Sequence, residues 1–183
     1  MQKIFVRILL LSLFLLATIS PNKTEKNSVF NTILAQMSQC SLSTVDTALD
    51  DLYNALAHNQ VDAFIAHMRL FYSEIPYTIA IEKEKYYQTI FYVILKLLNI
   101  RAEVEHATNI GRIDLVAETD DFLYIFEFKL NGSAEHALQQ IYTTRYYEPY
   151  IKLGKRIILV GVNFSSKEKN IAEYLFEEFV YER

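Results

Sequence analysis

The chain has 183 residues, of which 51% are hydrophobic and 14% aromatic, enough for one ordinary domain with a substantial core and too apolar for a disordered tail. Its formal net charge of −4 excludes a global basic field that would draw it to nucleic acid, so any such contact must rest on a local patch. A single cysteine, Cys40, excludes an intrachain disulfide and a cysteine-rich zinc site, and His58, His67, His106 and His136 lack the paired spacing of a helix-borne metal site.

In chain order, Met1-Gln2-Lys3 and Arg7 lead into an apolar run over residues 8–16 broken only by Ser12, the basic start and apolar core of a secretory signal. The run is too short and too interrupted for a spanning helix. No clean small-x-small cleavage site precedes Pro21, so a hydrophobic strand or a misassigned start stands beside the signal reading. The expected location is cytoplasmic, with export or membrane tethering through residues 4–20 as the alternative; contact with a membrane arises only in the second case. Residues 21–27 form a polar, turn-prone break. Helical periodicity follows over 29–37 and over 45–58, where Val45, Leu49, Leu52 and Leu56 make one stripe and Ser43 or Thr44 is available as a cap. A second helix over 61–72 places Phe64, Met68 and Phe71 on one face, and Ile75-Pro76-Tyr77 ends this helical hairpin. The expected division is a hydrophobic segment at 1–20, a helical linker or appendage at 21–75 and a domain at 76–183.

The spacing of Tyr86, Ile90, Val93, Ile94 and Leu97 predicts a helix over 82–98 with Glu82, Lys83, Glu84 and Lys85 in its first turns. Ile100, Ala102 and Val104 alternate with charged residues as a strand does. A hairpin over 111–130 comes next, turning at Asp120-Asp121. Ser133 is placed to cap a helix running to about residue 147 through Ala134, Ala137, Leu138 and Ile141. Residues 157–162 are apolar apart from Gly161, as in a strand buried on both faces. Ser165 and Glu168 have capping-box spacing, which predicts a terminal helix through Ile171, Tyr174, Leu175 and Phe179. The sum is an α/β fold: a mixed sheet with flanking helices in the order αβββαβ, preceded by a small helical region.

The hairpin carries the chemistry. Along residues 122–130 side chains alternate faces, so Glu127 and Lys129 share one while Tyr124, Phe126 and Phe128 share the other. If Thr119 pairs with Phe122 across a two-residue turn, Asp114 falls opposite Glu127 and Arg112 opposite Lys129. Two carboxylates so placed are hard ligands for Mg²⁺ or Mn²⁺, which would polarise a phosphodiester, and Lys129 would orient a water or stabilise developing charge. Opposite charges facing each other across strands also stabilise sheets without any catalytic role, and this reading stays open.

Several further stretches fall in order around this hairpin: Ile75-Pro76-Tyr77; Glu84 with Tyr86-Tyr87-Gln88; Glu105, Thr108 and Gly111-Arg112 before Asp114; Phe126-Glu127-Phe128-Lys129-Leu130; Ala137-Leu138 with Gln140-Ile141; Tyr146; and Gly161-Val162-Asn163-Phe164. The pattern resembles the PD-(D/E)XK nuclease superfamily, and within it the module at the C-terminal end of bacterial proteins whose N-terminal half is an AAA-ATPase-like domain. That resemblance implies a restriction-endonuclease-like core and hydrolysis of phosphodiester bonds in nucleic acid, DNA in the first instance. It implies Asp114 and Glu127 as metal ligands with the Phe128 carbonyl as a third, Lys129 as the catalytic lysine, and Glu84 or Glu82 as an assisting helix carboxylate. Gln140 and Tyr146 would lie near the substrate phosphate, and Arg112 would hold phosphate or pair with an acid across the strands. No Gly-x-x-x-x-Gly-Lys-Ser/Thr loop occurs, since Gly154-Lys155 precedes Arg156, so no nucleotide cofactor is expected and the chain would be a stand-alone module or a remnant. The alternative is an inactive binding or interaction module of the same fold.

Overall fold

A computed structural model describes residues 42–75, 80, 82–108 and 111–180. The apolar run near the start, the expected helix over 29–37 and Pro76-Tyr77 lie outside these residues. Among those described, no helix is long and apolar enough to cross a membrane.

Helices α1 (Leu42–Ala57), α2 (Val61–Ser73) and α3 (Glu84–Leu97) precede strands β1 (Arg101–Thr108), β2 (Gly111–Glu118) and β3 (Phe122–Leu130). Helix α4 (Ala134–Thr144), a 3-10 turn (Glu148–Leu153), β4 (Arg156–Ser165) and β5 (Asn170–Phe179) follow among the described residues. The five strands form one sheet in sequence order. Its pairs are antiparallel except β3 with β4, which run parallel because α4 carries the chain back between them.

The sheet separates two cores. Phe122, Tyr124, Phe126 and Phe128 of β3 join Ile158, Val160, Val162 and Phe164 of β4 beneath α1, α2 and α3. Leu123, Ile125, Ile157 and Leu159 face Leu138 and Ile141 of α4. The expected alternation along β3 therefore holds, with every aromatic ring on one side. Aromatic contacts knit that side: Phe91 lies 5.0 Å from Phe126 and 5.1 Å from Phe128, and Tyr87 stacks on Phe164 at 4.7 Å. Tyr124 donates its hydroxyl proton to the Leu56 carbonyl at 2.6 Å, so α1 is fastened to the central strand as well as packed on it.

Several boundaries differ from expectation. Helix α1 begins at Leu42, so Ser43 and Thr44 lie inside it rather than at its cap. Helix α3 starts at Glu84 with Lys83 at the cap, leaving Glu82 outside. Ser133 caps α4 as the sequence predicts, accepting from the His136 N–H at 3.1 Å. That helix stops at Thr144 because Arg145 turns left-handed (φ 53°) and the Tyr146 N–H bonds back to Ile141.

The predicted terminal helix is a strand. Ser165 Oγ does accept from the Glu168 N–H at 3.1 Å, but Lys169 adopts φ 55° and its N–H returns to the Ser165 carbonyl, closing a turn instead of opening a helix. The chain then pairs with β4, whose outer edge would otherwise leave the backbone of a buried strand without partners. Side chains fix the choice: Arg156 forks onto Glu178 at 2.6 and 2.8 Å, and Tyr174 donates to Asp62 at 2.7 Å. Tertiary pairing here overrides a helix-like spacing of Ile171, Tyr174, Leu175 and Phe179.

Gly161 marks where α4 crosses β4. A Cβ there would fall 2.3 Å from the Ala134 carbonyl oxygen and 2.7 Å from the Leu138 nitrogen, both backbone atoms. Gly161→Ala should therefore force α4 off the sheet and destabilise the fold by ~1–3 kcal/mol, read as a lowered midpoint in thermal or urea unfolding; an unchanged midpoint would contradict this packing.

Candidate metal-dependent nuclease site

The turn joining β2 and β3 is the two-residue one expected. The Thr119 N–H donates to the Phe122 carbonyl at 2.9 Å, and pairing runs from Glu118 with Leu123 to Leu115 with Phe126. There the ladder stops, one residue short of Asp114. On the other side, the pairing of β1 with β2 runs through Val104 with Leu115 and resumes at His106 with Ile113, skipping Glu105 and Asp114. Ile113 and Leu115, two residues apart, fall in different cores, so β2 rotates about Asp114.

Other groups take over the hydrogen bonds that Asp114 leaves. Its carbonyl accepts from Gln88 Nε2 of α3 at 2.7 Å, and its carboxylate Oδ2 accepts from the Phe128 N–H at 2.9 Å. A side chain thereby replaces a backbone rung and draws the Asp114 carboxylate against β3. Neither the expected facing of Asp114 with Glu127 nor that of Arg112 with Lys129 occurs as a ladder pair, because the strands have parted before reaching them; Arg112 Nη1 instead lies 3.5 Å from Glu105 Oε2.

Glu127 is the centre of the cluster. It projects on the α4 side of β3 and is only 2% exposed. Lys129 Nζ donates to its Oε1 at 2.9 Å, while Oε2 is buried without a hydrogen-bond partner. Burial, reinforced by the Asp114 charge and opposed by Lys129, pushes the Glu127 carboxyl up to about 7. Asp114 is also raised, chiefly by burial, against the pull of the Phe128 N–H and of Lys129. Glu84 on the first turn of α3 belongs to the same cluster: burial and then Asp114 raise it, while Lys129 and the Leu130 N–H lower it. Residues from α3, β2 and β3 thus meet electrostatically at one point.

The remaining predicted residues stand further off. Tyr146 is 3% exposed within the second core, and a Cβ on Gly111 would lie 3.1 Å from its hydroxyl, so it supports the start of β2 from beneath. Gln140 is half-buried on α4. Among the described residues neither hydrogen-bonds to Asp114, Glu127 or Lys129. Glu82 is exposed ahead of α3.

The structure adds groups that the sequence did not single out for a role. Gln88 holds the Asp114 carbonyl. Asn163, the ladder partner of Lys129, grips the turn after β3: its Oδ1 accepts from the Gly132 N–H at 2.9 Å and its Nδ2 donates to the Gly132 carbonyl at 3.0 Å. A buried Asn within the apolar run of β4 was the available signal for this contact. Lys85 and Glu105 pair at the rim of the cluster.

Among the described residues no group of three or more His, Cys, Asp or Glu side chains is placed to hold a metal ion. The donor set nevertheless fits a hard divalent cation: two carboxylates drawn together, one with an orphaned buried oxygen, and an ammonium beside them. A mixed sheet that presents Asp on one strand and Glu-x-Lys on the next, with a helix acid beside them, is the architecture of a restriction-endonuclease-like nuclease fold. The family model of the PD-(D/E)XK nuclease superfamily matches residues 82–174, and the chain belongs to that superfamily. It is also 31% identical over 134 residues to a protein of Azotobacter chroococcum mcd 1 described as an uncharacterized protein in the vnfD 5′ region. The alignment covers 69% of this chain and 26% of that protein, so the chain spans about a quarter of its relative's length. No solved structure gives a significant match.

The raised Glu127 carboxyl sets a sign for stability without metal. Its folded value of about 7 exceeds the ordinary value of 4.5, so the folded state holds the proton more tightly and its stability falls as pH rises through that window. Glu127→Gln should flatten the decline in metal-free melting temperature between pH 5 and 8 and leave the variant the more stable protein at pH 8. Parallel curves for the two proteins would contradict a buried, unpartnered carboxylate.

Proposed function

We propose that the protein is a Mg²⁺- or Mn²⁺-dependent nuclease that hydrolyses phosphodiester bonds, with DNA as its substrate. The observation that carries this reading is the Glu127 carboxylate, buried with one oxygen on Lys129 and the other unsatisfied. A carboxylate left so is costly unless a cation or a proton completes it. Asp114 and Glu127 would hold the metal, with the Phe128 carbonyl as a further oxygen ligand. Bound there, a divalent ion supplies charge stabilisation to phosphodiester oxygens and favours ionisation of water.

The protein's own groups have separable tasks in this scheme. The hydrogen bond from Phe128 fixes the Asp114 carboxylate, and Gln88 fixes its backbone, so one ligand is pre-set by β3 and α3 together. Lys129, held by Glu127 and 18% exposed, reaches from the buried carboxylate to solvent; its ammonium orients the attacking water and offsets charge on phosphate in the transition state. Glu84 accepts a hydrogen bond from that water and aligns it. Arg112 contributes positive charge for the substrate backbone, while Tyr146 supports the start of β2 rather than touching phosphate. Gln140 on α4 is a substrate-side polar group in this reading.

A non-catalytic module is the competing interpretation. It predicts no need for Asp, Glu and Lys to be brought together, yet Asp114 is drawn to β3 by its own side chain and Glu127 is buried beside Lys129 at a local electrostatic cost.

Two variants separate the roles. Lys129→Ala should lower the cleavage rate on labelled DNA in Mg²⁺ or Mn²⁺ by ~10²-fold or more while preserving the rise in melting temperature that metal produces. Asp114→Asn should remove both the cleavage and the metal-induced rise. Wild-type rates in both variants would contradict the assignment.

A further inference from the structure

Outside the acidic cluster, the most unusual feature is Glu105. It lies at the skipped position of β1 beside Asp114, where its backbone is left-handed (φ 50°), a conformation that disfavours residues other than glycine. Its two carboxylate oxygens meet two cations from two different elements. Lys85 Nζ of α3 bonds to Oε1, and Arg112 Nη1 of β2 lies 3.5 Å from Oε2. Lys85 follows Glu84 directly, and Arg112 precedes Asp114 by two residues, so both cations border the proposed metal site.

Stability does not account for this arrangement. The Lys85, Glu105 and Arg112 side chains are 74%, 40% and 61% exposed, and ion pairs so open to water contribute little net stability. Left-handed backbone at a glutamate works against folding, and such outliers collect at functional sites. The Lys85 ammonium also holds the Glu105 carboxyl below its ordinary value, so the side chain is anionic at neutral pH. What the geometry achieves is to set one oxyanion between a lysine and an arginine at the edge of an acidic site, in a chain with no general positive field.

We propose that Glu105 is a built-in substitute for a substrate phosphate: in the free protein its carboxylate occupies a seat formed by Lys85 and Arg112, and a nucleic-acid phosphate displaces it when substrate binds. The inference rests on the nuclease reading above and adds to it a backbone-phosphate subsite and a gate upon that subsite. A carboxylate and a phosphate both present oxygen pairs to Arg and Lys donors, so one can stand for the other. Glu105 is exposed enough for its side chain to leave the seat for water without unpacking the core. A polyanion that offers a phosphate at this seat and further phosphates beside it overcomes the competition, whereas an isolated anion does not.

The test is fluorescence anisotropy of the full chain with labelled single-stranded and duplex DNA in EDTA, over a range of salt concentrations. Glu105→Gln and Glu105→Gly should both bind DNA several-fold more tightly than the wild type and with a steeper salt dependence. Lys85→Ala and Arg112→Ala should each weaken binding and reduce the salt slope, by about one in the limit of a full phosphate contact. The gain from Glu105→Gln should disappear in the Lys85→Ala/Arg112→Ala background. Unchanged or weaker binding by both Glu105 variants, with wild-type binding intact, would overturn this inference and leave the nuclease reading standing. Loss of the metal-induced rise in melting temperature in Glu105→Gln would also overturn it, by making Glu105 a metal ligand. Absence of DNA binding by the wild type and every variant, in EDTA and again with Ca²⁺ in its place, would overturn both readings together.

Discussion

The site depends on one burial. Glu127 lies on a strand with β2 and β4 to either side and α4 above it, where water is almost excluded, and a hydrophobic residue at that position would pack without penalty. One oxygen finds Lys129 and the other finds nothing. A carboxylate in such a place is either protonated or completed by a cation, and the neighbouring Asp114 charge pushes it further toward that choice. The rest of the local structure keeps this unsatisfied acid in position: the aromatic face of β3 locks the strand against α3, Asn163 fixes the turn beyond Lys129, and Gly161 lets α4 close over β4.

The second constraint is that the sheet opens at the candidate site. Regular ladders would have consumed the backbone of Asp114 on both sides and held its neighbours in step. Instead β2 is released from β1 and from β3 around this residue, rotates, and is secured by Gln88 and by its own carboxylate. Irregular strand geometry of this kind re-aims side chains next to functional sites, as bulges do. The left-handed Glu105 is the β1 side of the same interruption.

Much of this was legible in the residues. The period-two alternation of Tyr124, Phe126 and Phe128 against Glu127 required the acid and the aromatic core to lie on opposite faces, and Thr119-Asp120-Asp121-Phe122 gave the turn that sets the register. The apolar run of β4 read as doubly buried because it is. What could not be read was long-range pairing. The β5 residues carry helix-like spacing, and their strand state follows from a vacant edge on β4 and from partners such as Arg156 and Asp62, distant in sequence. The rupture of the ladder at Asp114 was equally hidden, since counting along ideal strands placed Arg112 opposite Lys129. Gln88, Lys85 and Glu105 entered the site through contacts that only the assembled helix and sheet create.

In the proposed function the buried Glu127 oxygen binds the metal, and its carboxyl releases a proton to solvent as the metal binds. Calorimetric titration of Mg²⁺ or Mn²⁺ into the protein, repeated in buffers of different ionisation enthalpy, counts protons released per ion bound. A carboxyl raised to about 7 should release about one proton per metal near pH 6 and progressively fewer as pH rises past 7. Binding without proton release at pH 6, or no binding at millimolar metal, would contradict the account.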